Sequence, residues 1–159
     1  MNKPSDLNNK KRINYRGVLR FDIPKEWIEE YDDKDGATFY EDDPLSGTLR
    51  VKLISISVPE NLDSVNTSGI LDNLIPNKVS KTIELPNGNA YNMFYEHGVE
   101  IEIDITIFYW LLVQKVERNK TRLANFSYTV ISEKLNNKHI QKEIEFITSQ
   151  VETATFKAL

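Results

Sequence analysis

Residues 99–113 constrain this chain more than any other stretch. Val99, Ile101, Ile103, Ile105 and Ile107 alternate with Glu100, Glu102, Asp104 and Thr106. Period two is the spacing of a strand with one buried and one wet face. The alternation then stops, and residues 107–113 are all apolar or aromatic, with Phe108, Tyr109, Trp110, Leu111 and Leu112 inside the run. A strand of that kind is covered on both faces, so residues 107–113 are expected to lie at the centre of a sheet.

The flanking residues supply partners for such a strand. Glu117-Arg118-Asn119-Lys120 makes a charged turn, and residues 121–131 return beside the central run. Upstream, Pro86-Asn87-Gly88-Asn89 is a hairpin signal between strands at 79–85 and 90–96, after which His97-Gly98 is expected to break the pattern. Residues 17–23 alternate Leu19, Phe21 and Ile23 with Val18, Arg20 and Asp22, and Pro24 stops that strand. Residues 27–31 fit a strand or a helical turn, and the strand is preferred because Asp33-Lys34-Asp35-Gly36 has the chemistry of a type I turn with a left-handed glycine. Residues 37–41 then return beside 27–31, residues 43–47 turn again, and residues 48–58 form a long β-branched strand that completes a meander.

Two helices are expected. Residues 59–77 lose the alternation, and a short helix is placed within 68–74. Near the end, Ile140, Ile144, Ile147, Val151 and Ala154 recur at spacings of four and three, an apolar stripe suited to lie across the sheet. Asn136 or Asn137 is placed to cap that helix. The fold class is therefore α+β, an antiparallel sheet of about six to seven strands flanked by helices. Residues 1–14 lack periodicity and read as a flexible arm, with order beginning near Tyr15 and a single domain over 15–159.

Charge narrows the function classes. The net formal charge is −4, but Lys3, Lys10, Lys11, Arg12 and Arg16 crowd the start, while residues 22–43 hold ten carboxylates against Lys25 and Lys34. Such a stretch repels a polyphosphate, which argues against nucleic-acid binding. There are no cysteines, so thiolate metal sites, disulfides and cysteine nucleophiles are absent by inventory. No segment has the continuous apolar length of a membrane span, and the polar start predicts a cytoplasmic protein; an exported form would need a leader or lipid-attachment segment ahead of residue 1.

Each candidate site has an unspecialised alternative. Glu29, Glu30, Asp32 and Asp33 form a possible docking face for a basic partner, or a solvated edge that discourages aggregation. Trp27, Tyr40, Tyr109 and Trp110 could line a groove, although core packing is the commoner use of such rings, and Tyr109 and Trp110 must point to opposite faces. Asp33, Asp35 and Gly36 resemble part of a calcium loop, but Tyr31 stands at the first ligand position and Asp42 at the last, so a hairpin turn is expected. His97 and His139 belong to no paired-histidine motif and are expected to be exposed; Glu143 lies one turn after His139, and two ligands do not make a site. No Gly-x-Ser-x-Gly elbow or phosphate loop occurs, and Glu100 and Glu102 suit an acidic surface better than a glycosidase cleft. Neither a cofactor nor a metal is expected.

The order of these elements resembles the PsbP-like superfamily. The likeness rests on Phe21-Asp22-Ile23-Pro24-Lys25-Glu26-Trp27, Phe39-Tyr40-Glu41 and Gly47-Thr48-Leu49-Arg50-Val51. It continues through Tyr109-Trp110, Phe126-Ser127-Tyr128-Thr129 and the closing helix, spanning residues 16–155. That family includes an extrinsic photosystem II subunit, a nuclear-import factor that binds the Ran GTPase, and bacterial chaperones of secreted effectors. The resemblance implies a non-catalytic binding or assembly role with another protein as partner, as in an adaptor, chaperone or immunity-type protein of a bacterium. It supplies no catalytic residues. An enzyme whose acidic site assembles only on folding, and a subunit of a homo-oligomer, are the alternatives.

Overall fold

The computed structural model describes residues 6–34, 36–43, 46–57, 67–74 and 81–159. A small sheet is formed by β1 (Lys10–Tyr15), β2 (Leu19–Pro24) and β10 (Thr155–Phe156), in the order β1-β2-β10. A seven-stranded sheet contains β3 (Ile28–Asp32), β4 (Gly36–Tyr40), β5 (Thr48–Ser57), β6 (Ile83–Glu84), β7 (Ala90–Glu100), β8 (Ile103–Val113) and β9 (Lys120–Ile131). Its order is β3-β4-β5-β9-β8-β7-β6, antiparallel at every junction. Helix α1 spans Thr67–Leu74 and α2 spans Lys138–Thr153.

The core lies on one face of the large sheet. Phe39, Leu49, Val51, Trp110, Leu112, Ala124, Phe126, Tyr128 and Val130 point into it from β4, β5, β8 and β9. Two elements close over them. Strand β2 brings Leu19, Phe21 and Ile23, with the Phe21 ring edge-on to Phe39 at 5.7 Å and to Phe126 at 5.4 Å. Helix α2 brings Ile140, Ile147 and Val151, with Ile144 half-buried beside them, so the expected stripe is the roof. Each fully buried large side chain adds on the order of 1.5–3 kcal/mol. Polar bonds fix the roof's position: the Trp110 indole N–H donates to Thr148 Oγ1 at 3.0 Å, and the Asp22 N–H donates to Gln150 Oε1 at 2.9 Å. On the opposite face, α1 packs Ile70 and Leu71 against Ala90, Val113 and Leu123 at one end.

Several expectations need correction. Residues 10–14, assigned to the arm, lie in β1 and pair with β2. The turn between these strands, with Arg16 and Gly17 both at positive φ, folds β1 onto β2, and β1 adds Ile13 and Tyr15 to the core while Lys11 pairs with Glu29 of β3. The strand expected at 79–85 is only β6 (Ile83–Glu84), and residues 79 and 80 lie outside the described residues. His97-Gly98 does not break the pattern, because β7 continues to Glu100.

The break falls at Ile101-Glu102, which sit at φ 49° and 61°, so residues 99–113 are not one strand but the end of β7, a two-residue turn and β8. Two consecutive left-handed residues are the signature of a type I′ hairpin. The period-two pattern runs unbroken through such a turn, and neither residue is a turn former, which is why the sequence hides it. Val99 is therefore 70%, Ile101 88% and Ile103 48% exposed, not buried. Strand β9 pairs with β8 only from Ile105 onward, so residues 98–104 form a two-stranded ribbon standing beyond the sheet.

Candidate functional site

Two places carry more chemistry or exposed surface than the fold requires. The first lies under the start of α2. Asn137 caps the helix by accepting the His139 N–H on Oδ1 at 2.8 Å, and this sets His139 and Glu143 one turn apart on the face toward the sheet. Glu41, at the end of β4, meets them there: His139 Nε2 lies 3.0 Å from Glu41 Oε1 and 3.6 Å from Glu143 Oε1. The Tyr128 hydroxyl of β9 donates to Glu143 Oε2 at 2.8 Å. Gly47 backs the Tyr128 ring closely enough that a β-carbon at position 47 would overlap it.

Glu143 is only 1% exposed, and its Oε1 is buried without a hydrogen-bond partner. Burial pushes its carboxyl up to about 8, with the nearby Glu41 charge adding to the rise and the Tyr128 hydrogen bond opposing it. Burial, and then the Glu143 charge, push the Tyr128 hydroxyl well above its ordinary value. His139, expected to be exposed, is half-buried in this cluster. The His139–Glu143 spacing was visible in the sequence, but Glu41 stands 98 positions from His139 and no local signal links them.

The second place is the ribbon of β7 and β8, which sequence reasoning missed because it took Val99 and Ile103 for a buried face. Around the exposed Val99, Ile101 and Ile103 stand Glu96, Glu100, Glu102 and Asp104, with no lysine or arginine in residues 96–104. Tyr95 is also exposed, 5.9 Å from the Phe108 ring.

The residues singled out from the sequence fall elsewhere. Trp27 is 1% exposed in the core, its indole nitrogen without a hydrogen-bond partner. Glu29 pairs with Lys11 at 2.8 Å and accepts the Tyr31 hydroxyl at 2.6 Å, bonds that hold its carboxyl below the usual range. Glu30 accepts the Tyr40 hydroxyl at 2.5 Å, Asp32 accepts the Lys34 N–H at 2.6 Å, and the Asp33 carbonyl accepts from Arg16 at 3.3 Å. Glu30, Tyr31, Asp32 and Thr38 line an open groove of about 490 Å³ whose other wall is Arg50 and Lys52. The β3–β4 edge is thus of mixed charge. Tyr109 and Trp110 do point to opposite faces: Trp110 is in the core, and Tyr109 stacks on Phe94 at 5.0 Å.

The tyrosines make stability sensitive to alkali. Burial, then the Glu152 charge, raises the Tyr91 hydroxyl to about 12, and burial likewise raises Tyr109. A folded-state pKa above the ordinary 10.0 gives stabilisation that is complete below pH 10 and is lost as pH rises toward about 12. The melting temperature should fall across that window, with tyrosinate absorbance appearing together with unfolding. A melting temperature that stays flat while the tyrosinate signal grows would contradict this.

No family model and no curated protein matches the sequence. Solved structures do. A Bacteroides thetaiotaomicron VPI-5482 protein superposes with TM-score 0.66 at 16% identity, covering 94% of this chain and 49% of its own, so this chain spans about half of that protein. LpqN, involved in cell envelope biogenesis of Mycobacterium tuberculosis, matches with TM-score 0.60 at 11% identity over 88% of this chain and 83% of its own. Cyanobacterial PsbP from Synechocystis sp. PCC 6803 is also found, with TM-score 0.42 at 12% identity over 94% of this chain and 93% of its own. These are likenesses of fold alone: the architecture is α+β, with antiparallel sheets and the C-terminal helix packed on the larger one. Among the described residues, no helix is long and apolar enough to cross a membrane.

Proposed function

We propose that this chain is a non-catalytic binding protein that inserts the tip of its β7–β8 ribbon into an apolar cleft, rimmed by lysine and arginine, on another protein. The observation that carries this reading is Ile101, an exposed β-branched residue at φ 49° on a turn tip. A left-handed residue of this kind costs about 1–2 kcal/mol, and here no contact in the core compensates. The acids Glu96, Glu100, Glu102 and Asp104 give the rim of the cleft its sign, since complementary charge speeds encounter and fixes register. They also disfavour insertion into an anionic lipid surface. An adaptor, chaperone or immunity-type protein would use such a tip. The β3 edge, with Glu29, Glu30, Asp32, Asp33 and Tyr40, is a weaker candidate, because the carboxylates of Glu29, Glu30 and Asp32 are engaged by Lys11, Tyr31, Tyr40 and Lys34.

A photo-crosslinking residue placed at Ile101 in the native cell tests this, with the same residue at Arg118, on the turn before β9, as control. The expected product is a heterologous protein joined at position 101, through a peptide flanked by lysine or arginine, and not at 118. Charge reversal at Glu29, Glu30, Asp32 and Asp33 should leave that product in place. Crosslinks only to a second copy of the chain would replace the reading with a homo-oligomer, and no product at 101 would end it.

A further inference from the structure

We infer that Glu41, His139 and Glu143 form a binding site for one divalent transition-metal ion, with zinc the best fit, clamping the start of α2 to the end of β4. Three observations converge. One imidazole and two carboxylates offer ligand atoms that all lie within 4.8 Å of one another. Zinc bonds to nitrogen and oxygen of about 2.0–2.2 Å place tetrahedral ligand atoms roughly 3.4 Å apart. The 3.0 Å and 3.6 Å separations from His139 Nε2 bracket that distance.

The second observation is the buried Glu143 Oε1, which faces the imidazole without a hydrogen-bond partner while the carboxylate's other oxygen is held by Tyr128. A buried carboxylate oxygen left bare is costly, and a cation at the triad would satisfy it. The third is the outer layer. Tyr128 orients the Glu143 carboxylate as groups behind a metal ligand do, and Gly47 leaves the room that the Tyr128 ring needs. Calcium fits poorly, because it takes six to eight oxygens and avoids imidazole. With three protein ligands a fourth position remains for water on the side where His139 reaches the surface. The ion would fasten the first turn of the roof helix to the meander, and no reaction is assigned to it.

The experiment is titration of the chelator-stripped full chain with zinc chloride, followed by calorimetry and melting temperature, and with cobalt chloride, followed by visible absorption. One ion per chain, a raised melting temperature and the intense absorption of tetrahedral cobalt are expected. H139A and E41Q each remove the His139–Glu41 contact, so each variant is compared with its own metal-free form: affinity should fall more than about a hundredfold and the zinc-induced rise in melting temperature should disappear. Y128F, which removes only the orienting hydroxyl, should weaken binding about tenfold. H97A should change nothing. Absence of binding by the parent chain, or binding undiminished in H139A and E41Q, or binding lost in H97A instead, would overturn the site.

Discussion

Gly47→Ala should lower stability by roughly 3 kcal/mol, a large loss for one methyl group. Over a chain of this length that is a fall in melting temperature of about 6–12 °C. Backbone strain is not the cause, because Gly47 is not among the residues at positive φ. The cause is space: the new β-carbon would overlap Cζ, Cε1 and the hydroxyl of Tyr128. That ring is fully buried and is bonded to the buried Glu143, so it cannot swing into solvent. Retreat of the ring would break the Tyr128–Glu143 bond and leave a second buried carboxylate oxygen without a partner. A double-mutant cycle with Tyr128→Leu separates this collision from a general loosening of the backbone around Gly47. Gly47→Ala should cost far less once the tyrosine ring has been replaced by the smaller side chain. Equal costs with and without the ring would show that the ring is not what meets the methyl group.

The second large effect has the opposite sign. Ile101→Asn together with Glu102→Gly should raise stability by roughly 1–2 kcal/mol while abolishing capture of a partner at the ribbon. Asn-Gly is the preferred pair for a type I′ turn, and the residues it replaces are exposed, so no packing is lost. The turn at Arg118-Asn119 has the same hand, with φ 52° and 61°, but already holds an asparagine. The same swap there should gain less and leave partner capture untouched. Chemical denaturation of both variants measures the first half of the prediction, and crosslinking from a neighbouring ribbon position such as Val99 measures the second. A destabilised Asn-Gly variant would mean that Ile101 has packing value in the fold, and the binding proposal would lose its main support.

Legibility divided along a physical line. The meander of β3, β4 and β5, an asparagine cap at 136 or 137 that the structure resolves to Asn137, and the apolar stripe of α2 were readable because each is written in residues a few positions apart. The turn at Ile101-Glu102 was not readable, since its conformation is imposed by the long register of β7 on β8, from Ala90↔Val113 to Glu100↔Ile103, and not by its own two residues. Two of the three members of the metal-type cluster were legible as the His139–Glu143 spacing. Its third member was not, because only the antiparallel stacking of β4, β5 and β9 beneath α2 carries Glu41 to the helix.

Periodicity, turn chemistry and capping are short-range preferences, so the amino-acid order was enough to specify an antiparallel α+β fold with a helical roof. Which sheet the first hairpin joined, which apolar residues were left standing in water on the ribbon, and which carboxylates met under the roof were settled by tertiary packing. Those outcomes depend on contacts between segments tens of residues apart, whose pairing follows from the space left after the core has closed.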